Sequence, residues 1–341
     1  MTEAELRALG IERIPVPVPF PQAGGPVNVY LLEEEDGGLL MFDSGLGTPQ
    51  AQEALVEGFR RAGRSFDEVR RIVLSHGHVD HYGAALTVCE RAGRPVPVYV
   101  HPADADKVSK AGRRWTEQMP LYGRYFLKLG VPAEVLATLA SAVGGGYTLA
   151  RRIPEVQPLE PGAVLRTRHL ALEVHHMPGH TPGLCCLYER QRKIFFSADH
   201  LLEKVSPNPI IELGPNGEEG LFRPLLAYVR SVQRLRALEV DVILPGHGPP
   251  FGGHRQVIDA LLEFYGKRQA RILELIRASP RSGYEVTQAL FPGARAVDLF
   301  LVMSETVANL EVLEERGEIV RRVEEERYRF EPARREPASE G

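Results

Sequence analysis

The sequence predicts an α/β fold, a two-sheet sandwich with helices outside, carrying a helical insert and a C-terminal winged-helix domain. Three observations predict it. Short apolar strands alternate with helical periods over about 250 residues. Residues 103–150 interrupt that plan with a purely helical pattern. From residue 267 the order becomes helix, helix, helix and hairpin, which matches a winged helix-turn-helix module. With 341 residues, 43% of them hydrophobic and 25% charged, the chain can bury a large core, and its length suggests two domains or one large domain with an appendage. Disorder throughout is excluded.

The first strands lie between Pro26 and Asp43, two runs of β-forming residues around an Asp36-Gly37-Gly38 turn, a hairpin signal. Ala54, Leu55, Phe59 and Ala62 then recur at helical spacing, and Arg71 to Ser75 reads as a short buried strand. Val96 to His101 is the next strand. In the insert, Trp115, Met119, Tyr122 and Phe126 form an aromatic stripe on one helical face, and Gly144-Gly145-Gly146 marks a hinge or turn. Further strands lie between Gly162 and Tyr188, at Lys193 to Ala198 and at Val240 to Pro245. Beyond them, Lys267 to Ala278 is a helix stopped by Ser279-Pro280, and Ser282 and Glu285 form a capping box that opens the next. Ala296 to Glu315 makes a third helix, and Ile319 to Arg322 and Arg327 to Phe330 a hairpin. The domains are therefore read as 1–266 and 267–332, with a flexible tail at 333–341.

A net charge of −4 gives no reason to expect a general nucleic-acid binder. Cys89, Cys185 and Cys186 cannot make a disulfide framework, and free buried thiols are expected. No apolar run reaches the roughly 18 residues of a membrane span. Glu3 and Glu5 precede Arg7 and no apolar leader follows, so the expected location is cytoplasmic, without a membrane partner.

The chemistry concentrates in Ser75-His76-Gly77-His78-Val79-Asp80-His81, directly after a buried strand. Three imidazoles and a carboxylate within six residues are costly as core and sensible as metal ligands. Pro178-Gly179-His180-Thr181-Pro182-Gly183, Ala198-Asp199-His200 and Pro245-Gly246-His247-Gly248 follow, each placing a ligand-type residue after a strand beside glycine or small residues.

In this order and spacing the motifs resemble those of the metallo-β-lactamase superfamily, over residues from about 12 to 265. The resemblance implies an αββα sandwich with a dinuclear metal site at one edge. It casts His76, His78 and His180 as ligands of a first metal, Asp80, His81 and His247 as ligands of a second, and Asp199 as the bridge. The cofactors implied are two divalent ions, zinc first, with iron or manganese suiting the same donors. They would hold a bridging hydroxide that attacks the substrate, with Asp80 also orienting it. Asp43 matches a position that supports the metal loop. His200 and Tyr82, next to ligand positions, are candidates to face the substrate.

No ligand position carries cysteine, which argues against a β-lactam substrate. The His/Asp set is similar to that of glyoxalase II, and the layout with a winged-helix tail resembles the beta-lactamase-like endoribonucleases. The leading reading is a hydrolase of a small ester, thioester or lactone, with the helical insert forming an apolar acyl pocket. The alternatives are a single-strand endoribonuclease and a non-catalytic interaction protein that keeps the fold. Asp298, Glu305, Glu311, Glu314, Glu315 and Glu318 on the third C-terminal helix face a single Arg316, and residues 267–335 balance thirteen basic against twelve acidic side chains. Such a surface repels phosphates. The expected partner is a small acyl compound, with RNA the alternative and a homodimer through the aromatic stripe.

Overall fold

Near-continuous apolar runs, as in β-forming segments such as Val27–Glu33 and Ile194–Ala198, give strands covered on both faces. The computed structural model describes residues 1–143 and 149–333, less the side chains of residues 112, 115, 139–143 and 296. The Trp115 ring, the Gly144-Gly145-Gly146 hinge and the tail from 334 lie outside the described residues. The first sheet has the order β1 (Ile11–Val16), β2 (Val27–Glu33), β3 (Leu39–Phe42), β4 (Val69–Val73), β5 (Val98–Val100) and β6 (Gln157–Pro158). Its β1, β2 and β3 are antiparallel, and β3 to β6 run parallel. The second sheet comprises β7 (Val164–Arg166), β8 (Ala171–His176), β9 (Cys185–Glu189), β10 (Ile194–Ala198) and β11 (Val242–Pro245), with β10 between β9 and β11.

Along β2, Val29 and Leu31 enter one core while Tyr30 and Leu32 enter another. The first core joins the sheet to helices α2 (Pro49–Arg61), α3 (Val79–Tyr82) and α4 (Ala85–Arg91) through Leu55, Phe59, Tyr82 and Val88; a short α1 (Glu3–Ala8) opens the chain. The second core lies between the sheets, where Phe196 meets the rings of Tyr30 and Phe42 edge-on at 5.3 and 5.9 Å. Cys185 packs there as a buried free thiol beside the equally buried Cys186. This is the α/β sandwich of the metallo-β-lactamase resemblance.

The remaining helices are α5 (Pro102–Lys110), α6 (Gly112–Lys128), α7 (Ala133–Val143), α8 (Pro224–Arg236), α9 (His254–Ala278), α10 (Gly283–Leu290) and α11 (Leu299–Glu315), and the hairpin is β12 (Ile319–Glu324) with β13 (Arg327–Pro332). The chain forms two compact units, one of Met1–Glu117, Gly145–Pro207 and Ala227–Asp259, the other of Gln118–Gly144, Asn208–Leu226 and Ala260–Gly341. The expected boundary at 266 falls inside α9, one uninterrupted 25-residue helix. No Gly-Pro break marks the sequence of this helix. No helix among the described residues is long and apolar enough to cross a membrane.

Within the second unit, Tyr122 and Phe126 are buried and meet Phe300 at 5.3 and 5.9 Å. Tyr122 and Phe126 of the stripe are therefore core, the usual role of a helical aromatic stripe, while Met119 is half-buried. The capping box forms as expected, Ser282 Oγ accepting from Glu285 N and the Glu285 carboxylate from Ser282 N. Helix α11 is buried on nearly every side, including Met303, Thr306, Val307, Leu310, Val312 and Leu313. Its acids are used internally, Glu305 against Arg268 at 3.2 Å and Glu314 against Arg321 at 3.3 Å.

Burial pushes the Glu311 carboxyl up to about 7, with Glu314 adding to it and Arg223 and Arg321 opposing. The folded state therefore favours the protonated acid, and stability drains away as pH rises from the unfolded value of 4.5 through 7. We expect Glu311→Gln to match the parent at pH 4 and to exceed it by about 2–3 kcal/mol at pH 8 in urea unfolding. Equal stability at both pH values would refute this.

Candidate metal centre

Four loops, leaving the C-terminal ends of β4, β8, β10 and β11, bring the seven motif residues together within the first unit. The first loop carries His76 and His78 and turns into α3, whose opening residues include Asp80 and His81. The carbonyl of His81 accepts from Ser44 N (2.7 Å) and Ser44 Oγ (3.0 Å), fixing the turn. His180 follows β8, Asp199 follows β10 and His247 follows β11. Two non-glycine residues at the site hold left-handed backbone, Asp43 at φ 59° and Ala198 at φ 44°. Such strain persists only where the surroundings enforce it.

Donor atoms of His76, His78 and His180 lie within 4.8 Å of one another, as do those of Asp80, His81 and His247, and those of His76, His81 and Asp199. Asp199 faces both sets: Oδ1 lies 3.4 Å from His81 Nε2, and Oδ2 lies 3.5 Å from His180 Nε2 and 3.6 Å from His247 Nε2. Asp80 Oδ2 lies 3.4 Å from His247 Nε2. The imidazoles are held from behind. His76 Nδ1 meets Ser75 Oγ at 2.9 Å, His81 Nδ1 meets Asp43 Oδ2 at 2.8 Å, and His247 Nδ1 meets the Gly25 carbonyl at 3.0 Å. The opposite Nε2 atoms of these three, with Asp199 Oδ1, are buried without a hydrogen-bond partner among the described residues. Buried polar atoms normally have partners. Nitrogens anchored at one end and unmet at the other, aimed at a shared carboxylate, are the arrangement that divalent ions require.

Electrostatics separates the two sets. Burial, then the neighbouring His81 and His78 rings, holds His76 well below its usual value, and burial and His180 do the same to His78. At His81 burial opposes the charged ring, yet Asp199, Asp43 and Asp80 outweigh it and raise the group. Burial also opposes the Asp80 and Asp199 carboxylates, but the imidazoles, His81 first, keep both ionised, Asp80 down at about 2. The site thus offers neutral imidazoles on one side and carboxylates on the other.

Other parts escaped sequence reading. Asn28, polar in an otherwise apolar β2, donates to the carbonyls of Pro245 (2.9 Å) and Gly248 (2.7 Å), and Tyr30 Oη donates to Pro245 (2.8 Å), so both hold the loop bearing His247. Asp104 is buried between two ligand loops. The only signal in the sequence was a lone Asn inside a strand. His200 and Tyr82, the candidates to face substrate, are both buried: His200 sits against the Tyr228 ring at 5.2 Å and Tyr82 lies in the helix-side core. Adjacent residues on a turn point in different directions.

A Cβ on Gly246 would stand 2.2 Å from Asp199 Oδ1, whereas at Gly248 nothing lies within 4 Å and only φ of 80° resists substitution. We expect Gly248→Ala to cost about 1–2 kcal/mol of stability and to keep its metal. Gly246→Ala is expected to lower bound metal per chain, measured after gel filtration. Equal metal content in the two variants would refute the expected displacement of Asp199.

A family model described as the metallo-beta-lactamase superfamily matches residues 23–247. The chain is a member of the metallo-beta-lactamase superfamily. Membership, together with relatives named metallo-hydrolase and thioesterase, supports a hydrolase. A protein named probable metallo-hydrolase YqjP, of Bacillus subtilis (strain 168), is 29% identical over 88% of this chain and 92% of its own length. Acyl-coenzyme A thioesterase MBLAC2 of Homo sapiens is 28% identical over 69% of this chain and 78% of its own. The crystal structure of a metallo-beta-lactamase family protein from Thermus thermophilus superposes with a TM-score of 0.78 at 29% identity, over 95% of this chain and 98% of that one.

Proposed function

We propose that this superfamily member hydrolyses a small carbonyl ester, with acyl thioesters first among the candidates and lactones next. The observation that carries the reading is the division of Asp199 between two sets of donors, one oxygen toward His81 and the other toward His180 and His247. We assign His76, His78 and His180 to one divalent ion, Asp80, His81 and His247 to a second, and Asp199 to both. His and Asp donors without thiolate suit zinc, and equally iron or manganese. When bound, such ions supply a water that ionises near neutral pH and an electrophile for the carbonyl oxygen.

The chain's own groups do the rest. Asp43 fixes the His81 ring, Ser75 the His76 ring and the Gly25 carbonyl the His247 ring, so the Nε2 atoms cost little reorganisation on use. Asp80, partly open and held ionised, accepts a hydrogen bond from the attacking water and orients its lone pair. Water adds to the acyl carbon, the thiolate or alkoxide leaves, and the products are a carboxylic acid and a thiol or alcohol. Support for the thioester comes from the name of the human relative, an acyl-coenzyme A thioesterase. Against RNA stands α11, which a winged-helix reading would offer to a strand, because its sides are packed and its acids engaged.

The test is a panel of acyl thioesters, esters and lactones run beside a labelled unstructured RNA, with metal-loaded protein and Asp199→Ala as the contamination control. Thiol or acid released by the parent and not by Asp199→Ala supports the reading. RNA cleavage with the same control dependence, and no thiol or acid release, overturns it.

A further inference from the structure

The three imidazoles assigned to the first ion come from two loops on different sheets. His76 and His78 follow β4, and His180 follows β8, yet their rings stand 4.5 to 5.1 Å apart. One backbone bond, Cys185 N to the Ser75 carbonyl at 2.8 Å, joins the loops at their base. Beside the imidazoles the join is made by a side chain. Asp104, in the first turn of α5, is fully buried, and its Oδ2 accepts from Gly77 N at 3.0 Å and from Thr181 Oγ1 at 2.6 Å. Gly77 separates His76 from His78, and Thr181 follows His180. Lys107, one turn along α5 and also buried, sets Nζ 3.2 Å from Asp104 Oδ1.

The surroundings are shaped around this pair. A Cβ on Gly77 would lie 2.7 Å from Lys107 Cβ, and one on Gly183 would lie 2.8 Å from Asp104 Cβ. Both ligand loops are cut back to glycine where they meet α5. Stability alone gives no reason for an ion pair there, because apolar replacements of buried pairs are often neutral or better. What an apolar group cannot do is accept two hydrogen bonds, one from each loop, on a single oxygen.

We propose that Asp104 is a positioning residue for the first ion: it clasps the loop of His76 and His78 to the loop of His180 and sets the separation of the three imidazoles. Lys107 balances its charge. The inference rests on the two-ion reading above, and goes beyond it by assigning a role to residues of α5 that coordinate nothing.

Cobalt(II) alone serves as the probe, titrated into metal-stripped full-length chain with visible absorption and the cobalt-shifted exchangeable imidazole protons as readouts. The parent binds two ions. Asp104→Ala, checked for parental circular dichroism, weakens by about 10–100-fold the ion that shifts His76, His78 and His180, and leaves the other unchanged. Thr181→Val weakens the same ion by less. The double variant Asp104→Asn/Lys107→Met restores it, since an amide oxygen in the place of Oδ2 accepts both donors and no unpaired charge remains. If Asp104→Ala keeps both affinities and the parental shifts, the clasp is refuted while the two-ion reading stands. Equal weakening of both ions without rescue by the double variant refutes it too, by making the pair merely structural. A parent that binds no cobalt overturns both readings together.

Discussion

Asp199→Ala is expected to reduce hydrolysis by on the order of 10³-fold or more while the chain stays folded, a loss of about 4 kcal/mol or more of transition-state stabilisation. The geometry gives the reason. One carboxylate lies between His81, His180 and His247, and an alanine methyl reaches none of them. On the proposed assignment both ions would lose a shared ligand at once, and neither half of the site would be left intact. The effect is expected to exceed that of His78→Ala, whose ring serves one side only. Bound metal per chain, near-ultraviolet circular dichroism and turnover, measured on the same preparations, check this. An Asp199→Ala protein with parental turnover would remove the basis for the proposed chemistry.

The legibility of this site in the sequence follows from how far its parts reach. His76, His78, Asp80 and His81 stand within six residues, and the loops of His180, Asp199 and His247 each follow a strand and carry small residues. Local pattern was enough for these. Asn28 and Asp104 are different: an acceptor of the first and a donor to the second lie 217 and 77 residues away, and beyond the oddity of an Asn inside a strand nothing local separates them from an ordinary strand residue or a solvated helix residue. His200 and Tyr82 show the converse, since neighbours of site residues in the chain are turned into cores by the pitch of the backbone. The limits of the second unit were hidden for a related reason. Helix α9 keeps its apolar period throughout, so one continuous helix belongs to two units without any change in pattern. The central strands β2, β3, β9 and β10, by contrast, announce themselves because burial on both faces leaves few polar residues in them.

Asp43 carries the largest expected stability effect. Its Oδ1 accepts from Ser75 N at 2.7 Å, and its Oδ2 accepts from Ser75 Oγ at 2.8 Å and from His81 Nδ1 at 2.8 Å, all of them buried. Asp43→Ala leaves three donors without an acceptor, puts alanine at φ 59°, and strips the His81 ring of its anchor. The expected cost is about 3–5 kcal/mol in chemical unfolding of the metal-free chain, since each orphaned buried donor costs about 1–3 kcal/mol. Loss of the anchor is also expected to weaken affinity for the second ion by about 10–100-fold. Asp43→Asn separates the causes. Asparagine tolerates the left-handed backbone, but one side of its amide is a donor, so it can serve either the Ser75 amide or the pair of Ser75 Oγ and His81 Nδ1, not both. It is expected to recover part of the stability and little of the metal affinity if its oxygen takes the Ser75 amide. If Asp43→Asn restores both to parental values, the three-donor account is wrong and only the backbone conformation matters.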